Sequence, residues 1–262
     1  MTKYLVFNWK MNPASLEQAI ELYSSYTTAL IKNTLWDAVI CPPSVFLSTL
    51  SNNSIKCSFG AQNIAKDGCG SSHAFTGEVS AEMVKGLGCE YTLIGHSERR
   101  SMLKETNDDV QKKVVIAREN NLIPIICVGH VPPEMTTKSD DIDYLVLKEQ
   151  VISALMPYFD SMSVSSSNIT IHFPIIAYEP VWAIGTGKTP SINQIVSVNI
   201  AIHGYISDLL GAEFSRNVSI LYGGSVNENN IRELSFNLEI DGFLIGGAGL
   251  KPESVKQIIE LE

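Results

Sequence analysis

Three side chains able to do acid, base or electrostatic chemistry stand in similar local settings, although they are far apart in the chain. Asn8 and Lys10 lie at the end of the apolar run Tyr4–Trp9, His96 follows Tyr91–Gly95, and Glu179 follows Ile175–Tyr178. A carboxylate ionised at neutral pH can accept a proton from a neighbouring group. His96 lies where a helix is expected to begin, at Ser97. The partial positive charge of a helix N-terminus disfavours imidazolium and leaves a neutral ring that could polarise a carbonyl. The alternative for His96 is a structural ring satisfied by backbone. Lys10 brings positive charge to a chain whose formal net charge is −9, so attraction of an anion is a better reading than a solvated surface group. Asn8 could bond a substrate oxygen or the backbone. Glu98 reads as a partner for Arg99 or Arg100 at the helix start rather than as a group that orients Lys10.

The stretch from Ile175 to Pro190 surrounds the carboxylate. Pro180 and Pro190 stiffen its ends, and Gly185 and Gly187 leave its middle permissive. Val181, Trp182, Ala183 and Ile184 are unusually apolar for a connection. Such a loop could close over a small ligand and exclude water from Glu179, or Trp182 could simply fill a gap in the core. Two more glycine-rich turns, Gly223-Gly224-Ser225 and Gly246-Gly247, would let backbone N–H groups approach an anion. Gly187-Lys188-Thr189 resembles the end of a P-loop, but Trp182 stands where that motif needs glycine. No His, Cys or Asp cluster has metal-ligand spacing.

These residues must be positioned by elements, and the chain alternates short apolar runs with longer amphipathic stretches. The remaining strands are expected at Trp36–Cys41, Lys56–Gln62, Leu122–Val128, Val218–Tyr222 and Ile240–Ile245. Helices are expected at Ser15–Lys32, after Pro42-Pro43, and at Val79–Leu87, Ser97–Leu103, Asn107–Asn120, Asp143–Tyr158, Ser191–Leu210, Glu228–Phe236 and Pro252–Leu261. Val131–Asp141 and Ser161–Ser167 read as solvated loops. Strands separated by helices imply parallel βαβ units, and eight of them imply a closed (β/α)₈ barrel of α/β class. A doubly wound sheet would carry a nucleotide fingerprint after its first strand, and none is there. No linker divides the chain, so residues 1–262 are expected to form one domain. Asn8, Lys10, His96, Glu179 and the two glycine turns all fall at carboxyl ends of strands, the face on which such barrels carry active sites.

Bulk composition narrows the classes of partner. A pI near 5.1 argues against nucleic acid and anionic membrane. The five cysteines are an odd number and widely spaced, which suits reduced thiols in a cytoplasmic compartment. No window is long and apolar enough to span a membrane, and the early strand at Tyr4 leaves no room for a signal peptide.

Several segments closely resemble the triosephosphate isomerase family. They are Asn8-Trp9-Lys10-Met11-Asn12, Thr76 to Ser80, Ile94 to Arg100, Ala177 to Thr189, Leu221 to Val226 and Asp241 to Leu250. The resemblance implies a TIM barrel that interconverts dihydroxyacetone phosphate and D-glyceraldehyde 3-phosphate without a cofactor, in glycolysis and gluconeogenesis. It implies Glu179 as base, His96 and Lys10 as stabilisers of negative charge, and Asn8 at the carbonyl end. Backbone amides of Gly185, Ser225, Gly246 and Gly247 would hold the phosphate. This family is itself a standard example of pKa tuning and loop closure, so these roles are inherited through the resemblance and are not independent of it. The resemblance also implies a homodimer through the Asn63–Glu78 loop, with Thr76 at the contact. That loop is longer than the family's at Ala65–His73. His130, Gly249 and Phe7 stand where the family usually has glutamate, serine and glycine, and the region from Val131 to Pro174 is expanded. A rival reading is another phosphate-binding barrel with a different acid/base set, and a second is a catalytically silent barrel acting as a binding protein.

Overall fold

A computed structural model describes residues 3–31, 35–52, 57–67, 74–129, 142–163, 172–181, 190–237 and 240–261. Eight parallel strands close into a barrel in sequence order: β1 (Lys3–Asn8), β2 (Trp36–Cys41), β3 (Ser58–Ala61), β4 (Tyr91–Ile94), β5 (Ile123–Val128), β6 (Ile175–Tyr178), β7 (Ser219–Tyr222) and β8 (Gly242–Ile245). The ring shuts where β1 pairs with β8, Tyr4 opposite Gly242 and Phe7 opposite Ile245. A side chain at Gly242 could not be accommodated, because a Cβ there would meet the backbone oxygen of Tyr4. The helices are α1 (Leu16–Leu30), α2 (Ser44–Ser51), α3 (Ala81–Gly86), α4 (Ser97–Leu103), α5 (Asn107–Glu119), α6 (Tyr144–Ser163), α7 (Ile192–Leu210), α8 (Ala212–Asn217), α9 (Ile231–Asn237) and α10 (Pro252–Ile259).

The pleat sorts the core into two parts. Successive strand residues point to opposite faces. Val6, Val39, Cys41, Leu93, Ile125, Cys127, Ala177, Leu221 and Leu244 fill the barrel interior. Their neighbours Leu5, Phe7, Ile40, Ile126, Ile176 and Ile220 pack outward with the helices. This parity also positions the site. Asn8 lies two residues beyond Val6, Glu179 beyond Ala177, Gly223 beyond Leu221, and Gly246 beyond Leu244. Each therefore continues the inward-facing row as its strand reaches the open end.

Local chemistry explains several helix ends. Ser15, Ser80 and Ser191 cap α1, α3 and α7 through side-chain oxygens that accept N–H bonds. Thr106 and Asp109 form a reciprocal capping box on α5. Gly88, expected to stop α3, has φ +82, a conformation open to glycine at little cost.

Four expectations need correction. The strand expected at Lys56–Gln62 is only the four residues of β3. α6 runs past Tyr158 to Ser163, with Pro157 inside it, so Ser161–Ser163, expected as loop, are helical; residues 164–167 lie outside the described ones. α9 begins at Ile231 rather than Glu228, because Asn227 and Asn230 tie the preceding turn with side-chain bonds. α8 and a 3₁₀ turn at Gly247–Leu250 are additions to the expected elements. Both are too short to show a helical period. The segment expected as a solvated loop at Val131–Asp141 lies outside the described residues, as does His130.

Candidate active site

At the carboxyl end of the barrel, a cavity of about 650 Å³ is lined by Asn8, Lys10, His96, Glu179, Ser225 and Gly246, among others. Gly247 lines it too. The structure thus brings together every predicted site residue except Gly185, which lies outside the described residues with Trp182 and the rest of the 182–189 segment.

Glu179 is buried, 3% exposed. Its Oε1 is 3.0 Å from His96 Nε2, and its Oε2 accepts the Ser97 N–H at 2.8 Å. Its backbone N–H donates to Val128 O at 2.8 Å, which continues the β5–β6 ladder to the carboxylate. Two glycines make room for it. A Cβ on Gly223 would stand 3.2 Å from Glu179 Cγ, and one on Gly129 would stand 2.7 Å from Glu179 O. The buried Cys127 thiol is hydrogen-bonded to Glu179 as well; burial and then the carboxylate push that thiol well up, so it stays protonated.

His96 is the N-cap of α4, and its Nδ1 accepts the Glu98 N–H at 3.2 Å. A nitrogen that accepts cannot hold the proton, so the ring is the neutral tautomer carrying hydrogen on Nε2, aimed at Glu179. The expected lowering of His96 by the helix N-terminus is not what this arrangement gives. Burial opposes the charged ring, but the Glu179 carboxylate, its hydrogen bond and Glu98 outweigh that and raise the pKa. The same contacts act on Glu179: burial pushes it up, while His96, the Ser97 N–H and Lys10 bring it below the ordinary carboxylate value. Each group holds the other in its charged or donating form.

Lys10 stands in the left-handed region at φ +55, a strained backbone for a residue with a Cβ. Two hydrogen bonds hold it. Its N–H donates to Asn8 Oδ1 at 2.9 Å, and Gln62 Nε2 donates to its carbonyl at 2.8 Å and to Cys41 O at 2.8 Å. Of the two readings for Asn8, the backbone one is thus met by its side-chain oxygen. The Lys10 ammonium reaches Glu98 Oε1 at 2.6 Å. This corrects the expectation that Glu98 would pair with its own helix. Arg99 instead binds Glu105, and Arg100 binds Gly95 O and Asn107. A Cβ on Gly246 would lie 3.3 Å from Lys10 Cε, so the lysine stem crosses close to the glycine turn after β8.

Sequence reasoning passes over Gln62, Cys127 and the Ser97 amide. Gln62 carries the same signal as the others, since it directly follows β3. The long loop that begins there draws attention away from it. Its residues 68–73, including Cys69, lie outside the described residues, whereas Thr76 is exposed. Among the described residues, no group of three or more His, Cys, Asp or Glu could hold a metal ion. No helix in that set is long and apolar enough to cross a membrane.

Comparison with known proteins gives one consistent answer. A family model described as triosephosphate isomerase matches residues 3–262. The triosephosphate isomerase of Phocaeicola vulgatus is 41% identical over 256 residues, covering 97% of this chain and 96% of that protein. That of Bacteroides fragilis is 39% identical over 256 residues, 97% of this chain and 96% of its own. The Rhodopirellula baltica enzyme is 40% identical over 261 residues, with 97% and 94% covered.

Proposed function

The chain belongs to the triosephosphate isomerase family, and on that premise we propose that Glu179, His96 and Lys10 are its catalytic residues. The reaction interconverts dihydroxyacetone phosphate and D-glyceraldehyde 3-phosphate, so hydrogen moves between adjacent carbons and nothing is oxidised overall. Glu179 takes a proton from the carbon beside the carbonyl. The C–H electrons form the carbon–carbon double bond of an enediolate, and the carbonyl pair moves onto oxygen. The hydroxyl proton passes through His96 to the former carbonyl oxygen, and Glu179 returns its proton to the carbon that bore the carbonyl, so the carbonyl reforms on the first carbon. His96 donates through Nε2–H to the developing oxyanion, and the Lys10 ammonium adds its field. Asn8 lies at the carbonyl end.

The observation that carries this reading is the buried Glu179 carboxylate held by His96 Nε2–H and the Ser97 N–H inside one cavity with Lys10. Both oxygens are occupied without substrate, so the carboxylate has to exchange those donors for the substrate C–H. Losing them removes the contacts that lower its pKa, and it becomes a stronger base as the substrate seats. His96 in turn loses the carboxylate that raises it, which leaves a neutral donor under the α4 N-terminus. The backbone amides of Gly185, Ser225, Gly246 and Gly247 bind the phosphate, with Ile175–Pro190 closing over it as a lid. The chain works as one domain over 1–262, in the cytoplasm, as a homodimer through Asn63–Glu78, within glycolysis and gluconeogenesis.

A coupled assay on glyceraldehyde 3-phosphate tests the assignment of the base. Glu179→Gln should lower turnover by about 10²–10⁴-fold, the usual range for a general base. Turnover close to the unmodified protein's would place the base elsewhere.

A further inference from the structure

A buried hydroxyl links two neighbouring segments beside the cavity, the one that follows β1 and the turn that follows β8. Tyr26, on α1, is fully buried and stands outside the barrel wall beside Phe7, ring centroids 4.8 Å apart at 81°. Its Oη accepts the Trp9 Nε1–H at 3.3 Å and donates to Gly249 O at 2.5 Å. Trp9 lies between Asn8 and Lys10 in sequence. Gly249 lies in the Gly247–Leu250 turn, which its own N–H closes onto Gly246 O at 2.9 Å. One hydroxyl therefore ties the chain bearing Lys10 to the turn that follows β8. Space is matched to the bond. A Cβ on Gly249 would stand 2.9 Å from Tyr26 Oη and 3.0 Å from Phe7 Cδ1, so the aromatic pair fills the volume that a side chain at 249 would need.

We propose that Tyr26 is a positioning residue for the phosphate end of the substrate, acting through the Gly249 carbonyl on the Gly246–Gly247 backbone. The proposal rests on the reading above that these two glycines bind phosphate. Ala248 and Leu250 pack the turn on the core, but its remaining described backbone bonds are local, Gly249 N–H to Gly246 O and Lys251 N–H to Ala248 O. The one long-range hydrogen bond among those described to a carbonyl of this turn comes from α1. Without the hydroxyl, the Gly249 carbonyl is left buried beside an apolar ring, and the turn can relax away from the position in which its amides meet the anion. Phe7 bounds the same space, so a larger residue at 249 or a different ring at 7 would press on the same turn.

Inorganic phosphate, used as a competitive inhibitor, probes that end of the site directly. Tyr26→Phe should raise the phosphate inhibition constant and KM together by about 3–10-fold, the weight of one buried hydrogen bond, while kcat changes less than KM. Gly249→Ala keeps the hydroxyl but presses on it, and should shift both constants the same way. It carries the test alone if Tyr26→Phe does not fold. The double variant should show less than the product of the single effects, since both act on the Tyr26–Gly249 contact and removing the hydroxyl relieves the 2.9 Å clash with the new Cβ. A Tyr26→Phe protein of lower Tm with unchanged phosphate inhibition would overturn the proposal, as would multiplicative effects in the double variant. If phosphate does not inhibit even the unmodified protein, then the phosphate reading of Gly246 and Gly247 fails, and the role of Tyr26 falls with it.

Discussion

Gln62 gives the sharpest test of how Lys10 is held. Gln62→Ala removes one donor group shared by two carbonyls, Lys10 O and Cys41 O, each at 2.8 Å. A neutral hydrogen bond contributes about 1 kcal/mol net, so the two together contribute about 2 kcal/mol to stability. For a chain of this size that is a fall of roughly 4–8 °C in Tm. Only one of the bonds acts on Lys10, which has to keep φ +55 against its intrinsic preference. Losing about 1 kcal/mol of support there lowers the ratio of ordered to disordered lysine about fivefold. The coupled assay, run well below Tm and corrected for folded fraction, should therefore give a kcat/KM lowered by up to about fivefold. Gln62→Glu should do at least as much harm, because it sets a carboxylate against two carbonyl oxygens. If Gln62→Ala loses the expected stability while each folded molecule keeps full kcat/KM, then the left-handed Lys10 is held by Asn8 and Glu98 without Gln62.

Three other outcomes follow from the same contacts. Glu98→Gln removes the charge that holds the Lys10 ammonium at 2.6 Å; both groups are partly exposed, so kcat/KM should drop only about two- to fivefold, and an unchanged value would mean that Lys10 needs no such partner. The His96–Glu179 pair has a pH signature. The raised His96 contributes stability fully below its ordinary 6.5 and loses it as pH rises through the folded pKa, while the lowered Glu179 contributes above its ordinary 4.5 and loses it as pH falls. His96→Gln should then cost more stability near about pH 5.5 than near about pH 8.5, measured by denaturant unfolding at each pH; a cost that grows toward alkaline pH has the wrong sign. Lys113 and Glu105 form a buried ion pair, each side chain 3% exposed, with Arg99 and Asn63 as further partners. Lys113→Met should destabilise by about 3 kcal/mol by leaving a buried carboxylate with Arg99 as its remaining described cation, and Lys113→Met with Glu105→Leu should recover much of it; equal losses in both variants would locate the cost in packing.

Charge within the site explains why an acidic chain can take an anionic substrate. The net charge of −9 repels phosphate at long range, and screening confines that repulsion to about 8–10 Å in physiological salt. In the proposed site, Lys10, the α4 N-terminus and the glycine turns would supply the opposing local field. The same Lys10 is partly neutralised by Glu98 when no substrate is present, so the ammonium is kept in place without being fully exposed to water.

The order of strands and helices is legible in the chain itself, because burial of one face imposes a period that survives in a single sequence. β2 and β6 occur at the residues where they are expected, and α4 likewise, since apolar runs, caps and glycines agree there. The site is legible as a set of chemical types at strand ends, and Lys10, His96 and Glu179 do share one cavity. Pairing is not legible. Whether Glu98 turns to Arg99 or to Lys10 depends on the angle at which α4 leaves the barrel, and two neighbouring cations give the sequence no means to choose. Gln62 and Tyr26 escape notice for a related reason: each acts on a backbone carbonyl far away in the chain, and a carbonyl has no residue type to recognise. Residue chemistry and periodicity are local and were determined by the sequence, while the partner that each polar group meets across the barrel was decided only by the closed tertiary structure.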